Sequence, residues 1–403
     1  MIVNSGNLES VFKSKSQESM NTSKSKRARL NAEPLMIRRV DAIPVAIPLT
    51  KPIVMGGGQR YEHSESLIVR IEAGNGLVGW GEASAAPTMT GDMLAGMVQA
   101  VEQHLAPLLV GSNALLRAHL AHKLSRAVIG NTGPKAACDV ALHDLVGRHL
   151  GVPLVELLGG KARESVCALS QLGNSRVEDD IAEARTRRRE GYRFFKLKVG
   201  VKPVEEEIGG VHALRKALGP DVILCADANM SMTPASARKF VLGAADANIL
   251  FLEQPLRDHD LVGALALARV SPIPLCADES AHSLESIMNW RSAGAIAGVT
   301  LKTIKLGGIA STARAAIVCD ALGMSLNLAS KTGESSIGAA ALVHLSYAIP
   351  NIDWGINITN QYLSTDLVRQ PIGQKCGSVE CPTAPGLGID VDERAIARFK
   401  VVS

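Results

Sequence analysis

Five short apolar runs, each closing on a charged residue, constrain this chain most. They are Phe194–Lys198, Val222–Asp227, Ile249–Glu253, Ile273–Asp278 and Gly298–Lys302. Their final residues stand 29, 26, 25 and 24 positions apart. A buried parallel strand reads as a nearly continuous apolar run, and a crossover, usually a helix, must follow it. Each interval has room for one strand and one helix. Repeating that unit builds a (β/α) barrel whose strand C-termini converge on one mouth. The length of 403 residues is enough for such a barrel and a smaller attached domain.

The strand ends direct Lys196, Lys198, Asp227, Glu253, Asp278 and Lys302 into that mouth. Three carboxylates crowded at low dielectric repel one another and are costly to leave charged. Pairing each with a lysine is one way to compensate them. A hard divalent cation is another, because Mg²⁺ prefers oxygen ligands and keeps positions for water or substrate. Asp227, Glu253 and Asp278 are its candidate ligands. Lys196 and Lys198 are two apart on one strand, so both face the barrel interior. Adjacent ammonium groups lower each other's pKa, and a lysine so placed can act as a general base near pH 7. Lys302 arrives from four strands further round, on the other face of the site.

The fragments Lys196-x-Lys198, Asp227-Ala228-Asn229, Glu253-Gln254-Pro255, Ala277-Asp278-Glu279-Ser280 and Lys302-x-x-Lys305-x-Gly307-Gly308 occur in this order and at these spacings. Over roughly residues 36–400 the chain thereby resembles the enolase superfamily. Within it, the resemblance is to the muconate-lactonising subgroup of the mandelate racemase / muconate-lactonising enzyme family. The resemblance implies an α/β fold, a (β/α)7β TIM-like barrel with an α+β N-terminal capping domain. It implies one Mg²⁺ per site and removal of the α-proton of a small carboxylate substrate through a metal-stabilised enolate. Lys198 is then the base on one face and Lys302 the acid/base on the other, with Lys196 orienting the substrate carboxylate and lowering the pKa of Lys198. Lys305, Asn229, Gln254 and Glu279 fall in supporting positions, Glu279 as a partner for Lys302 or Lys198. Glu334 matches a family glutamate, and equally suits a helix N-terminal carboxylate. Two loops of the capping domain, 55–63 with its glycines and 84–90, face the substrate in such proteins. Tyr61 and His63 lie in the first of these and read equally as surface residues.

The implied division is a disordered extension over 1–35, a capping domain over 36–160 completed by a tail over about 375–403, and a barrel over 161–374. The extension holds six Lys/Arg against three Glu, most of the chain's formal charge of +4. The nearly neutral remainder makes no case for nucleic acid. No run of 18 apolar residues exists, so no membrane span is expected. Seven cysteines, five of them in apolar runs (Cys138, Cys167, Cys225, Cys276, Cys319), read as buried thiols of a reducing, cytoplasmic compartment. Relatives commonly form homo-oligomers.

Two lysines on opposite faces suit a racemase or epimerase of a small amino-acid-like acid. The same pair serves a dehydratase of a hydroxy amino acid or a muconate-type cycloisomerase. Lys331-Thr332-Gly333 before Glu334 departs from the bulkier apolar approach of cycloisomerases and points to a substrate with an amine or hydroxyl. The stretch from Trp354 to Leu363, with Asp366, resembles relatives acting on proline-type amino acids. A non-catalytic ligand-binding barrel is the reading from a different class, and it has no need of an acid/base pair.

Overall fold

The protein is described by a computed structural model over residues 33–54, 60–173 and 176–402. The extension expected at 1–35 therefore lies outside the described residues except for its last three, and so do residues 55–59 of the glycine-rich loop.

The N-terminal part is an antiparallel sheet in the order β1 (Ile37–Val54), β2 (Arg60–Ala73) and β3 (Val78–Ser84). Gly76, at φ +82°, makes the tight turn between the last two. The first two strands are long. Pro48 pairs with His63 and Ile53 with Tyr61 across a register shift. Tyr61 and His63 therefore lie on β2, not in a loop, and His63 is exposed. The prolines within β1 are tolerated because it is an edge strand, where a missing N–H need not leave a ladder partner unpaired.

The helix Thr132–Leu150 packs on β3, buried over most of its length. A Cβ at Gly81 would lie 2.0 Å from the Ala137 carbonyl oxygen, so only glycine allows this approach. Two helical segments precede that helix in the chain. A segment over 94–109 contains one π turn, Val101–Leu105, just ahead of Pro107, which cannot donate to the preceding turn. A second helix follows at Arg117–Ala127.

Eight parallel strands come next: β4 (Leu169–Leu172), β5 (Phe194–Lys198), β6 (Ile223–Asp227), β7 (Ile249–Glu253), β8 (Leu275–Ala277), β9 (Gly298–Leu301), β10 (Ser325–Ala329) and β11 (Ile356–Asn357). They neighbour one another in chain order, with helices in the seven intervals. A parallel bridge between Ala168 and Ile356 closes the ring. The fold is the expected barrel with a capping domain. Its first and last strands are short, and an isolated bridge joins them at the seam.

Alternation sorts the interior into layers. Phe194, Cys225, Phe251 and Cys276 form an apolar floor with Trp354, whose ring stacks on Phe251 at 4.3 Å. Two residues along each of these strands come Lys196, Asp227, Glu253 and Asp278. The charged layer thus rests on an aromatic plug, with the Lys196 ammonium 5.9 Å from the Phe251 centroid.

Buried acids tie the parts together. Asp144 accepts from Trp80 N (2.9 Å), Arg148 Nε (2.9 Å) and Leu387 N (2.7 Å), joining sheet, helix and tail. Glu82 of β3 reaches the start of the barrel helix Ser336–Ala348, accepting from the backbone of Ser335 (3.0 Å) and Gly338 (3.1 Å). The tail returns to the first sheet: Val401 N donates to Pro44 O at 3.0 Å. All seven cysteines are free thiols, and Cys167 is exposed rather than buried. Among the described residues no helix is long and apolar enough to cross a membrane.

Candidate active site

The barrel mouth holds a cavity of about 40 Å³ lined by Lys196, Lys198, Asp227, Asn229, Glu253, Asp278 and Lys302, together with Met89, Gln171, Asn357 and the 329–332 segment. All six residues expected at strand ends are therefore in one place. Met89 comes from the 84–90 loop of the capping domain, its sulfur 3.8 Å from Lys302 Nζ.

Each carboxylate is compensated. Lys198 Nζ donates to Asp227 Oδ2 and to Asn229 Oδ1, both at 2.6 Å. Lys196 is paired with Glu253, whose other oxygen accepts from Thr300 Oγ1 at 3.0 Å. Asp278 takes Lys302 on Oδ2 and Lys305 on Oδ1, each at 2.6 Å. With Asn229 N on Asp227 Oδ1 at 3.0 Å, all six carboxylate oxygens accept a protein hydrogen bond. Among the described residues no three His, Cys, Asp or Glu side chains stand as a ready-made metal cluster. The donor chemistry nonetheless suits a hard dication, since three buried carboxylates come from three successive strands. A cation would enter in place of ammonium groups on these oxygens.

The electrostatics follow from burial and pairing. Burial opposes the charge of Asp227, but Lys198 and Lys196 outweigh it and hold its pKa low. Asp278 is likewise held below the usual carboxylate range, by Lys302 and Lys305 against burial. Burial raises Glu253. Burial opposes the charge of Lys302, and Asp278 and Glu279 more than restore it. A depressed pKa is the expectation where Lys196 and Lys198 lie side by side. At Lys196 the reverse holds, because Glu253 and Asp227 outweigh the burial that would lower it.

The supporting residues divide. Lys305 is fully buried behind Asp278 and also donates to Thr300 O at 2.9 Å. Gln254, at φ +36°, braces a turn, accepting from Asp278 N (2.9 Å) and donating to Ser280 Oγ (2.8 Å). Glu279 bonds neither Lys302 nor Lys198. It accepts from Asn229 Nδ2 at 3.2 Å, and burial beside Asp278 and Asp227 pushes its pKa up to about 8. Glu334 is buried and does not line the cavity. Burial and neighbouring Glu82 push its pKa up to about 8. The helix start expected for Glu334 is taken by Glu82 and by Asp366, which accepts from Ser336 N at 3.0 Å. Asp366, at this helix start, and the barrel-floor Trp354 do not line the cavity. Sequence reasoning missed Gln171 and Asn357. Both sit at strand ends like the acids, but uncharged amides do not stand out in an apolar run.

Residues 37–159 match the model of the mandelate racemase / muconate lactonizing enzyme N-terminal domain, and 179–395 match the enolase C-terminal domain-like family. The chain belongs to the mandelate racemase / muconate lactonizing enzyme family of the enolase superfamily. It is an enzyme of that family, related to isomerases. It is 31% identical over 373 residues to muconate cycloisomerase 1 of Pseudomonas putida, covering 91% of this chain and 98% of that one. It is 30% identical over 360 residues to the L-Ala-D/L-Glu epimerase of Bacillus subtilis (strain 168), covering 88% and 97%. The muconate lactonizing enzyme of Pseudomonas fluorescens, solved with muconolactone, superposes with a TM-score of 0.87 at 28% identity, covering 92% of this chain and all of that one.

Proposed function

We propose that this member of the family exchanges and returns the α-proton of a small, polar carboxylate, acting as a racemase or epimerase. The observation that carries the reading is the pair Lys198 and Lys302. They line one cavity from strands four apart, and each is held by its own carboxylate, Asp227 and Asp278. Lys198 Nζ, in its neutral form, takes the α-proton on one face, and Lys302 Nζ, kept protonated by Asp278, delivers one on the other. Lys196, fixed by Glu253, orients the substrate carboxylate. Asp227, Glu253 and Asp278 are the residues that would hold Mg²⁺, which supplies positive charge beside that carboxylate. The aromatic floor and Met89 limit water at the reacting carbon, which strengthens each of these interactions.

Cycloisomerisation is the second reading, favoured by the muconate cycloisomerases among the relatives. Against it stands Asn357 in the cavity wall, whose buried Oδ1 is unpartnered and would find no donor on a hydrocarbon diacid.

The test is proton NMR in D₂O with Mg²⁺ and a library of amino acids, N-substituted amino acids and muconate. Loss of an α-proton signal with the carbon skeleton unchanged supports the proposal. A lactone formed from muconate supports the second reading instead. Lys302→Ala separates the two faces: one-sided exchange persists while racemisation is lost. If both survive the substitution, Lys302 has been given the wrong role.

A further inference from the structure

Lys331 differs from the other four lysines of this region. Lys196, Lys198, Lys302 and Lys305 each sit on a carboxylate. Lys331 lines the same cavity, and among the described residues its ammonium group has neither an ion pair nor a hydrogen bond; it stands 5.8 Å from the centroid of the Tyr61 ring. Glu334 and Glu65 attract it from beyond pairing range. Glu334, buried against Glu82, is in any case largely protonated at neutral pH. A cation that faces a cavity with no carboxylate of its own is a place for a ligand's negative charge.

A second observation lies across the cavity wall. Asn357, at the end of β11, also lines the cavity, and its buried Oδ1 has no hydrogen-bond partner. That oxygen can only accept, and an unpaired buried acceptor is costly unless a ligand supplies the donor.

We propose that Lys331 binds a second anionic group of the substrate while Asn357 Oδ1 accepts from a substrate N–H or O–H. The substrate is then an amino or hydroxy acid with two negatively charged groups. This rests on the reading above, in which the first carboxylate lies at the Lys196 end of the cavity. A purely hydrocarbon diacid would satisfy Lys331 and leave Asn357 unpaired. A neutral amino acid would do the reverse.

The test is equilibrium binding to the full chain with Mg²⁺, using ligands matched in length. L-glutamate is compared with L-glutamine, and L-2-aminoadipate with L-norleucine. In at least one pair the acidic member should bind about 10- to 100-fold more tightly, the range of a hydrogen bond to a charged group. That ratio should collapse towards one in Lys331→Met and persist in Lys331→Arg. Being measured within one protein, the ratio is insensitive to a general loss of folded material. Equal binding of acidic and neutral members, or a preference that survives Lys331→Met, overturns the assignment of Lys331 alone. If no member of either pair binds with Mg²⁺ present, the carboxylate reading of the whole site fails, and this inference fails with it.

Discussion

Replacing Asp278 by Asn tests whether lysines or a cation chiefly keep the charged layer in place. The side chain is 1% exposed and sits between Lys302 and Lys305, which are 7% and 0% exposed. Removing one partner of a buried pair costs roughly 3–5 kcal/mol, since the remaining charge is left uncompensated. A second route limits the same quantity. A buried lysine without its partner can lose its proton, and at pH 7 this costs about 1.4 kcal/mol for each unit below an ordinary value of about 10.4, or about 4.6 kcal/mol. Lys305 is the more exposed to this fate, because burial lowers its pKa even with Asp278 in place. Lys302, by contrast, has its pKa raised with Asp278 in place. The expected loss is therefore about 4–5 kcal/mol at pH 7. In the variant, the unfolded chain holds a proton that the folded state has released, so stability rises with pH. The deficit should shrink to about 2 kcal/mol at pH 9. Urea unfolding of both proteins in EDTA, at pH 7 and 9 and fixed protein concentration, measures it. An Asp278→Asn variant as stable as the original in EDTA would refute the reasoning. The crowded carboxylates would then repel one another by more than the lysines compensate, and only a cation would explain their retention.

Two further outcomes concern the joints of the fold. His344 accepts from Val155 N on Nδ1 and faces Leu387 O through Nε2, both at 3.2 Å, and burial pushes its pKa down to about 4. Folding thus keeps it neutral while the unfolded chain takes up a proton below about pH 6.5, so acidification from pH 7 to 5 should remove about 2 kcal/mol through this residue. The pH dependence of the urea midpoint should flatten by that amount in His344→Gln, and an unchanged dependence would contradict it. Gly333 has φ +84°, and a Cβ there would lie 2.6 Å from Ser64 Cβ of the capping sheet. Gly333→Ala should cost about 1–3 kcal/mol and lower the melting temperature, through both backbone strain and contact with β2; a variant melting with the original would show that this loop yields freely.

The charged layer was legible because charges are rare in apolar strands and strand geometry leaves them little choice. Lys198, Asp227, Glu253, Asp278 and Lys302 each end a run, and side chains two apart on a strand share a face. The pairing was not legible. Spacing says that Lys196 and Lys198 are neighbours, but not that Lys196 lies down on Glu253 while Lys198 turns to Asp227 and Asn229. Those choices depend on which acid lies opposite in the ring, which is a tertiary fact. The length of the edge strand is hidden in another way. Proline reads as a strand stop unless its missing N–H points away from the partner, and only the sheet order reveals that β1 is an edge. The strand-end rule that located the acids applies equally to Gln171 and Asn357, since it concerns position rather than charge. Carrying it through all eight strands, neutral residues included, finds the uncharged part of the cavity wall. Charges at strand ends thus point to the acid and lysine layer, while Gln171, Asn357 and Lys331 complete the cavity wall without standing out in the sequence.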